Sequence, residues 1–457
     1  MSTPPPAANP REAAPVSSGP AHGPDSGKVR AAVRGGTLAY FVDQFDIYLP
    51  IVVLAPASAY FQAADLSAGT VAVLSSLVFA STLIGRPLGA VIFGHFADTV
   101  GRKRTTLVAV GGFGFLTLAT ACLPGHETIG MWSVGLLITL RFVDGVFLGG
   151  EYTTAVPLAM EWSPRHKRGL YASVITSTSP AAYAVIAAIT LLLLQVLPSQ
   201  GLHSAYVQWG WRIPFVIGAL LAAVLFRYYL TQVHESPAAR DGERHKLPLV
   251  RLLSRYPRAL AQVFVLMTGT WLATNMEAAV TPAQLKEHLM LSSKEVTLTM
   301  LVINASAAVS YPFFGLLSQR IGRRRFYIGY GLAVIVLGAG SYTLLMTSDG
   351  GLGTALGWGV MIGVFTVGTF GPIAAYLTER FPASIRSTAY GVGYSLALIA
   401  PAFYQFYLQQ LNGLFSAHLA PAVLIVLAGA LISLGGFLGP ETKDVDMSDD
   451  GTIPALS

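Results

Sequence analysis

Charge is what this chain has least of. Only 11% of its 457 residues are Asp, Glu, Lys or Arg, against roughly 25% in soluble domains. With 53% of the residues hydrophobic, the chain lacks the polar surface that water demands, and water-soluble readings are excluded. Cysteine is nearly missing as well. Cys122 stands alone, so no internal disulfide can close and thiol-based redox or zinc chemistry has no support. No Gly-x-x-x-x-Gly-Lys-Ser phosphate loop occurs, which argues against direct ATP drive. Clustered His and carboxylate ligands, a nucleophile motif and a soluble signalling domain are also missing. An enzyme or a sensor is therefore disfavoured, and neither cofactor nor metal is expected.

What the chain has is long apolar blocks. They fall near 35–61, 70–96, 104–123, 130–160, 169–198, 209–232, 259–283, 295–318, 326–347, 352–378, 387–411 and 417–439. At 1.5 Å per residue, about 20 residues span a hydrocarbon core of roughly 30 Å. The expected architecture is an all-α membrane protein with twelve transmembrane helices. Residues 1–28, rich in Pro, Ala, Ser and Gly, read as a disordered tail. The expected divisions are a bundle over 29–235, a linker over 236–257, a second bundle over 258–440 and a tail over 441–457. Lys and Arg gather in the even-numbered connections, as at Arg102, Lys103 and Arg104 or Arg323, Arg324 and Arg325; Lys286 and Lys294 are exceptions. Basic loops stay on the cytoplasmic side, so both termini are expected there. The net charge of +6 then reflects topology and lipid headgroups, with no nucleic-acid partner.

The chain repeats itself. Gly94, Asp98, Gly101 and Arg102 after block two return as Gly315, Gln319, Gly322 and Arg323 after block eight, 221 residues on. Glu161, Pro164 and Arg168 after block four return as Glu379, Pro382 and Arg386 after block ten, 218 residues on. Glu235 closes block six, and Glu441 closes block twelve. Two six-helix units of the same direction are related by an axis along the membrane normal, which puts a cavity at their interface near the midplane.

These motifs resemble the major facilitator superfamily. The loop from Gly94 to Arg104 is similar to its signature between helices two and three, and Arg141 to Gly149 to its helix-four pattern. Gly85 to Gly89, Gly149 to Glu151, Trp209 to Phe215 and Glu235 to Pro237 resemble the metabolite:proton symporter branch. Two departures are that Gln319 stands where the second loop has an acid, and Asp144 where the branch carries a neutral polar residue. The resemblance implies two pseudo-symmetric six-helix bundles that work by alternating access. It also maps the coupling pair of proton-linked sugar porters, a helix-one acid and a helix-four arginine, onto Asp46 and Arg141.

Depth arithmetic supports that pair independently. Counted from the block ends, Asp43, Asp46 and Arg141 lie about 12 to 17 Å into the bilayer. Asp43 and Asp46 share a helix face, and one of them can meet Arg141. An ionisable group at that depth costs roughly 2.5 to 3.5 kcal/mol on insertion scales, so it needs a partner or a watery cavity. Burial raises a carboxylate's proton affinity and a neighbouring guanidinium lowers it, which suits proton exchange; a permanent packing ion pair is the other reading. Glu151 and Asp43 are candidate auxiliary proton sites. Candidate cargo contacts are Tyr48, Arg86, Arg141, Asp144, Trp271 and Asn275, with Asn304, Tyr390 and Tyr394; Tyr311 and Gln405 belong to the same polar and aromatic set. Arg86 could equally snorkel to the headgroups, and Glu277 is expected in an exposed outer vestibule. Gating is expected from Gly94, Asp98, Gly101, Arg102 and Arg323, and from Glu161 with Arg168 and Glu379 with Arg386.

The function these readings give is proton-coupled symport of a small polar metabolite, an organic acid or a zwitterion, by a functional monomer in the cytoplasmic (inner) membrane. The alternative is a proton-coupled exporter or uniporter of a sugar, aromatic acid or drug-like solute on the same fold.

Overall fold

In a membrane each backbone N–H and C=O must be satisfied within its own segment, which leaves helices as the natural outcome for such blocks. The computed structural model describes residues 26–63, 66, 68–198, 200–235 and 248–447, and no strand occurs among them. The expectations for residues 1–25, 236–247 and 448–457 lie outside the described residues.

The first half holds α1 (Ser26–Val52), α2 (Ala68–Thr99), α3 (Arg102–Ala121), α4 (Trp132–Trp162), α5 (Arg168–Val196) and α6 (Arg212–Thr231). The second holds α7 (Pro257–Glu287), α8 (Ser293–Ile321), α9 (Arg323–Met346), α10 (Leu352–Glu379), α11 (Arg386–Leu396) and α12 (Ala420–Leu438). Each matches an apolar block to within a few residues except α11, which ends at Leu396 well before its block does, and α1, which begins before residue 35. Its first turns carry Lys28, Arg30 and Arg34, so they run beyond the hydrocarbon.

Ten of the twelve are long and apolar enough to cross a membrane by composition alone. The other two are α1, with Asp43, Gln44 and Asp46 at its middle, and α11, which continues as short helices Ile399–Ala402 and Tyr404–Leu411. Within the first half α2 packs on α4 where Gly85 and Gly89 meet Gly145 and Gly149; a Cβ at Gly145 or Gly149 would strike the α2 backbone. Such small-residue contacts let membrane helices approach closely. The halves meet chiefly through two pairs of helices, α2 on α11 and α5 on α8. These pairs are equivalent under the internal duplication, because α2 corresponds to α8 and α5 to α11.

The third repeated motif has a structural role in both halves. Gly101 and Gly322 turn the chain with φ of 127° and 101°, a backbone that L side chains rarely adopt. The helix after each is capped by a distant glutamate. Glu235 accepts from the Lys103 amide at 3.0 Å, and Glu441 from the Arg323 amide at 2.8 Å. A carboxylate there also complements the positive end of the helix dipole.

Candidate functional site

At the end of the bundle where the described chain begins and ends, four arginines and two glutamates tie the halves together. Glu161 lies between Arg102 of its own half and Arg386 of the other, the latter at 2.6 Å. Glu379 lies between Arg323 of its own half at 3.2 Å and Arg168 of the other at 3.4 Å. The expectation of Glu161 with Arg168 and Glu379 with Arg386 is therefore corrected. Motif spacing puts those residues in one loop, but the loops of the two halves face each other across the axis, and each arginine reaches over it.

Asp98 accepts from the amides of Ser387 and Thr388 at 3.2 and 2.9 Å, at the start of α11. Gln319, in the equivalent place, accepts from the Gly169 amide at the start of α5 at 3.0 Å and from Arg323 at 2.8 Å. An amide oxygen thus keeps the helix-end contact that the acid makes in the other half. Gly94 lies against the backbone of Thr388, where a Cβ would come within 2.9 Å. The segment after α12 joins the closure: Arg168 donates to the Val445 carbonyl at 3.1 Å and Arg386 to the Met447 carbonyl at 3.0 Å.

Deeper in the first half lies a charged core. Asp46 accepts from Arg141 at 3.1 Å and from the Thr117 hydroxyl at 2.5 Å. Arg141 also pairs with Asp144 at 3.2 Å and donates to Thr120 at 3.1 Å. Asp43 pairs with Arg86 at 3.2 Å. Arg86 is 1% exposed and lies over the Tyr152 ring at 4.6 Å, which corrects the reading that it snorkels to the headgroups. One of its terminal nitrogens, Nη1, has no hydrogen-bond partner among the described residues, and neither does either carboxylate oxygen of Glu151.

Between this core and the second half is a cavity of about 20 Å³. The first half contributes Gln44, Tyr48 and Ser179, and the second Trp271, Glu277, Asn304, Tyr311, Phe370 and Tyr394. Its floor, towards the closed end, is aromatic: the Tyr40 and Tyr394 hydroxyls, one from each half, meet at 2.7 Å. Tyr390 stacks on Tyr394 at 5.9 Å one turn nearer that end and lies outside the lining. At the far end a wider cleft of about 250 Å³ separates the halves, lined by Ile51, Phe61 and Phe79 on one side and Ala278 and Pro282 on the other.

The expectation that Glu277 occupies an exposed vestibule is overturned. It is 3% exposed and accepts from Asn304 at 3.1 Å. Glu277 stands three residues after Thr274, on the same helix face, and both line the cavity against the first half; residues Met276–Val280 form a π turn. Asn275 turns away from the cavity to brace the Pro401 carbonyl at 2.9 Å. Gln405 is exposed. Gln44, Ser179 and Phe370 are lining residues that sequence reasoning missed; the amide and hydroxyl between two acids of α1 and a Pro-containing α5 were the available signals.

A duplicated twelve-helix membrane bundle with a cavity on its internal axis, shut at one end by ion pairs between its halves, is built as a carrier and not as an enzyme. The chain belongs to the Major Facilitator Superfamily, whose profile matches residues 36–404. Among curated relatives, it is 31% identical over 418 residues to the inner membrane metabolite transport protein YhjE of Escherichia coli, covering 88% of this chain and 93% of that one. It is 27% identical to the shikimate transporter of the same organism, covering 90% and 95%, and 28% identical to its proline/betaine transporter, covering 82% and 76%. Among solved structures, the proton:xylose symporter XylE bound to 6-bromo-6-deoxy-D-glucose superposes with a TM-score of 0.75 at 18% identity, over 92% of this chain and 98% of that one.

Proposed function

We propose that the protein is a symporter that uses inward proton flow to accumulate a small polar metabolite, an organic acid or a zwitterion, in the cytoplasm. The observation that carries this reading lies in six residues of α1, Asp43 to Tyr48. Asp43 and Asp46 face the arginines of the charged core, while Gln44 and Tyr48 line the cavity. The two faces are wired together: Ser179 donates to Gln44 at 2.7 Å, and Gln44 donates to Asp43 at 2.6 Å. A cargo that engages Gln44 or Tyr48 therefore pulls on the same turn that holds Asp46 against Arg141.

Asp46 is the coupling acid in this reading, and Arg141 is its counter-charge. Proton binding to Asp46 releases Arg141 to Asp144 and loosens α1 from α4; proton loss restores the pair. Glu151 and Asp43 are the auxiliary carriers towards the closed end. The bias of Lys and Arg supports a cytoplasmic position for that end and for both termini. Curated relatives include one named for the inner membrane, which supports the cytoplasmic membrane as its site. The conformation described is then closed inwards, with the wider cleft on the outer side. Gly94, Asp98, Gly101, Arg102, Glu161, Arg168, Arg323, Glu379 and Arg386 form the gate that must part for release. Both faces of the cavity come from one chain, in keeping with a functional monomer.

A pH-sensitive dye inside proteoliposomes tests the coupling. Adding proline, glycine betaine or shikimate outside, the compounds for which relatives are named, is expected to drive proton influx with at least one of them. Asp46→Asn is expected to abolish influx while counterflow exchange of the same compound persists. Cargo entry without proton movement identifies a uniporter, and proton efflux on loading identifies an exporter; either defeats the symport reading.

A further inference from the structure

The cavity is not chemically neutral. Glu277 is its one acidic lining residue, and no Arg, Lys or His lines it. Asn304 donates to Oε1 of Glu277, and no hydrogen bond or ion pair to Oε2 is found among the described residues. Its situation differs from that of Asp43, Asp46 and Asp144, each of which has an arginine within 3.2 Å. The arginines are held on the far side of α1, so nothing in the cavity wall offsets the charge of Glu277.

Around that carboxylate the walls are rings. Trp271 packs edge-on against Phe370 at 5.4 Å and against Tyr394 at 5.1 Å. The indole nitrogen of Trp271 is spent on the Tyr394 backbone carbonyl at 2.8 Å, which fixes the ring. Tyr311, 2% exposed, completes the same wall. Aromatic faces carry negative quadrupole charge, and a cage of them beside a carboxylate attracts a cation strongly once water is excluded. A neutral polyol would satisfy hydrogen bonds here without giving the Glu277 carboxylate the counter-charge that favours its ionised form.

Resting on the reading of this cavity as the cargo site, we propose that the cargo carries a positively charged nitrogen, an ammonium or quaternary ammonium group, seated between Glu277 and the rings of Trp271, Tyr311 and Tyr394. At about 20 Å³ the cavity holds little more than one water. Loading therefore requires the halves to part from the outer cleft, and the cage then closes around the cationic end.

Two compounds of one shape isolate the charge. Glycine betaine and 3,3-dimethylbutanoate differ in having a quaternary nitrogen or a carbon at the same place. Binding to the purified full chain in detergent is measured by calorimetry, with choline, proline and xylose alongside. The expected result is that an ammonium compound binds, with glycine betaine or choline preferred over 3,3-dimethylbutanoate by about tenfold or more. Glu277→Gln is expected to bring that ratio close to one and Glu277→Asp to keep part of it, with the unliganded melting temperature of each variant showing that it folds. Three outcomes overturn the proposal: no ammonium compound binds, xylose or 3,3-dimethylbutanoate binds more tightly than all of them, or the preference survives in Glu277→Gln. The assay contains no membrane and no gradient, so its outcome is independent of whether Asp46 couples protons.

Discussion

The two halves of this chain are alike where they touch and unlike where they work. At the closed end every element has its counterpart: Glu161 and Glu379 each lie between one near and one far arginine, and Asp98 and Gln319 each hold the start of the opposite half's helix. At the level of the cavity the likeness ends. The first half buries Asp43, Asp46, Asp144 and Glu151 with Arg86 and Arg141, whereas the second offers Glu277 amid Trp271, Tyr311, Phe370 and Tyr394. Interlocking surfaces must stay complementary to each other, so drift in one is constrained by the other. Among the described residues, those at the level of the cavity are not tied across the axis by ion pairs, and here they divide into a charged side and an aromatic side.

The sharpest way to break this contrast is to remove the central cation of the first half. Arg141→Ala leaves Asp46 and Asp144 facing each other without compensation, and breaking a buried pair this way costs about 3 to 5 kcal/mol. The thermal midpoint of the purified protein is expected to drop accordingly. Asn304→Ala in the second half removes a hydrogen bond to one carboxylate and is expected to cost about 1 to 3 kcal/mol. Equal losses from the two would show that the halves do not differ in how they store energy.

The ion pairs of the closed end give the converse test, of likeness. Glu161→Gln and Glu379→Gln each weaken two charge-assisted contacts, one of them across the axis, each pair worth about 1.5 to 3 kcal/mol per bond. Both are expected to shift the protein towards opening at the closed end by similar amounts, read as spin-label distances across that end. A shift with one and none with the other would show that the gate is symmetric in outline alone. Ending the chain after Lys443 removes the Val445 and Met447 carbonyls from Arg168 and Arg386. The same distances are expected to move in the same direction but less, by about 1 kcal/mol of bias.

Much of this was legible in the sequence, and the rest was hidden for physical reasons. Blocks of apolar residues fix helices because lipid leaves no alternative, and the repeated Gly-Arg and Glu-Arg loops fix the duplication. Depth is also readable, since rise per residue is constant, and that is why residue counting alone sets Asp46 and Arg141 level. Whether the outer end of a helix faces solvent or another helix is not readable from depth. Glu277 was misjudged for that reason: near the outer end of its block, it packs against Asn304 of α8 and is buried. Partner choice across the axis is equally silent in one dimension: Glu161 has Arg168 seven residues away in sequence and takes Arg386 instead.

The smallest expected effect lies at the far end, where the second half alone brings two histidines together among the described residues. His288, just after α7, and His418, just before α12, stack at 4.1 Å with their planes 3° apart. His288 shares its Nε2 with the Met346 carbonyl at 2.9 Å, and Ser416 lies 3.4 Å from the His418 ring nitrogen. Burial, and then the neighbouring His288, hold His418 below the usual histidine range. A base whose proton affinity is reduced by folding takes up a proton more readily when unfolded. Stability is therefore fully present above about pH 6.5, the ordinary histidine value, and declines as pH falls below it. Melting temperature tracked from pH 8 to pH 5 is expected to show a slight extra decline in the wild-type chain that His418→Gln removes. If the decline is the same in the variant, the stack plays no part in acid sensitivity, and the far ends of the two halves are equivalent in that respect.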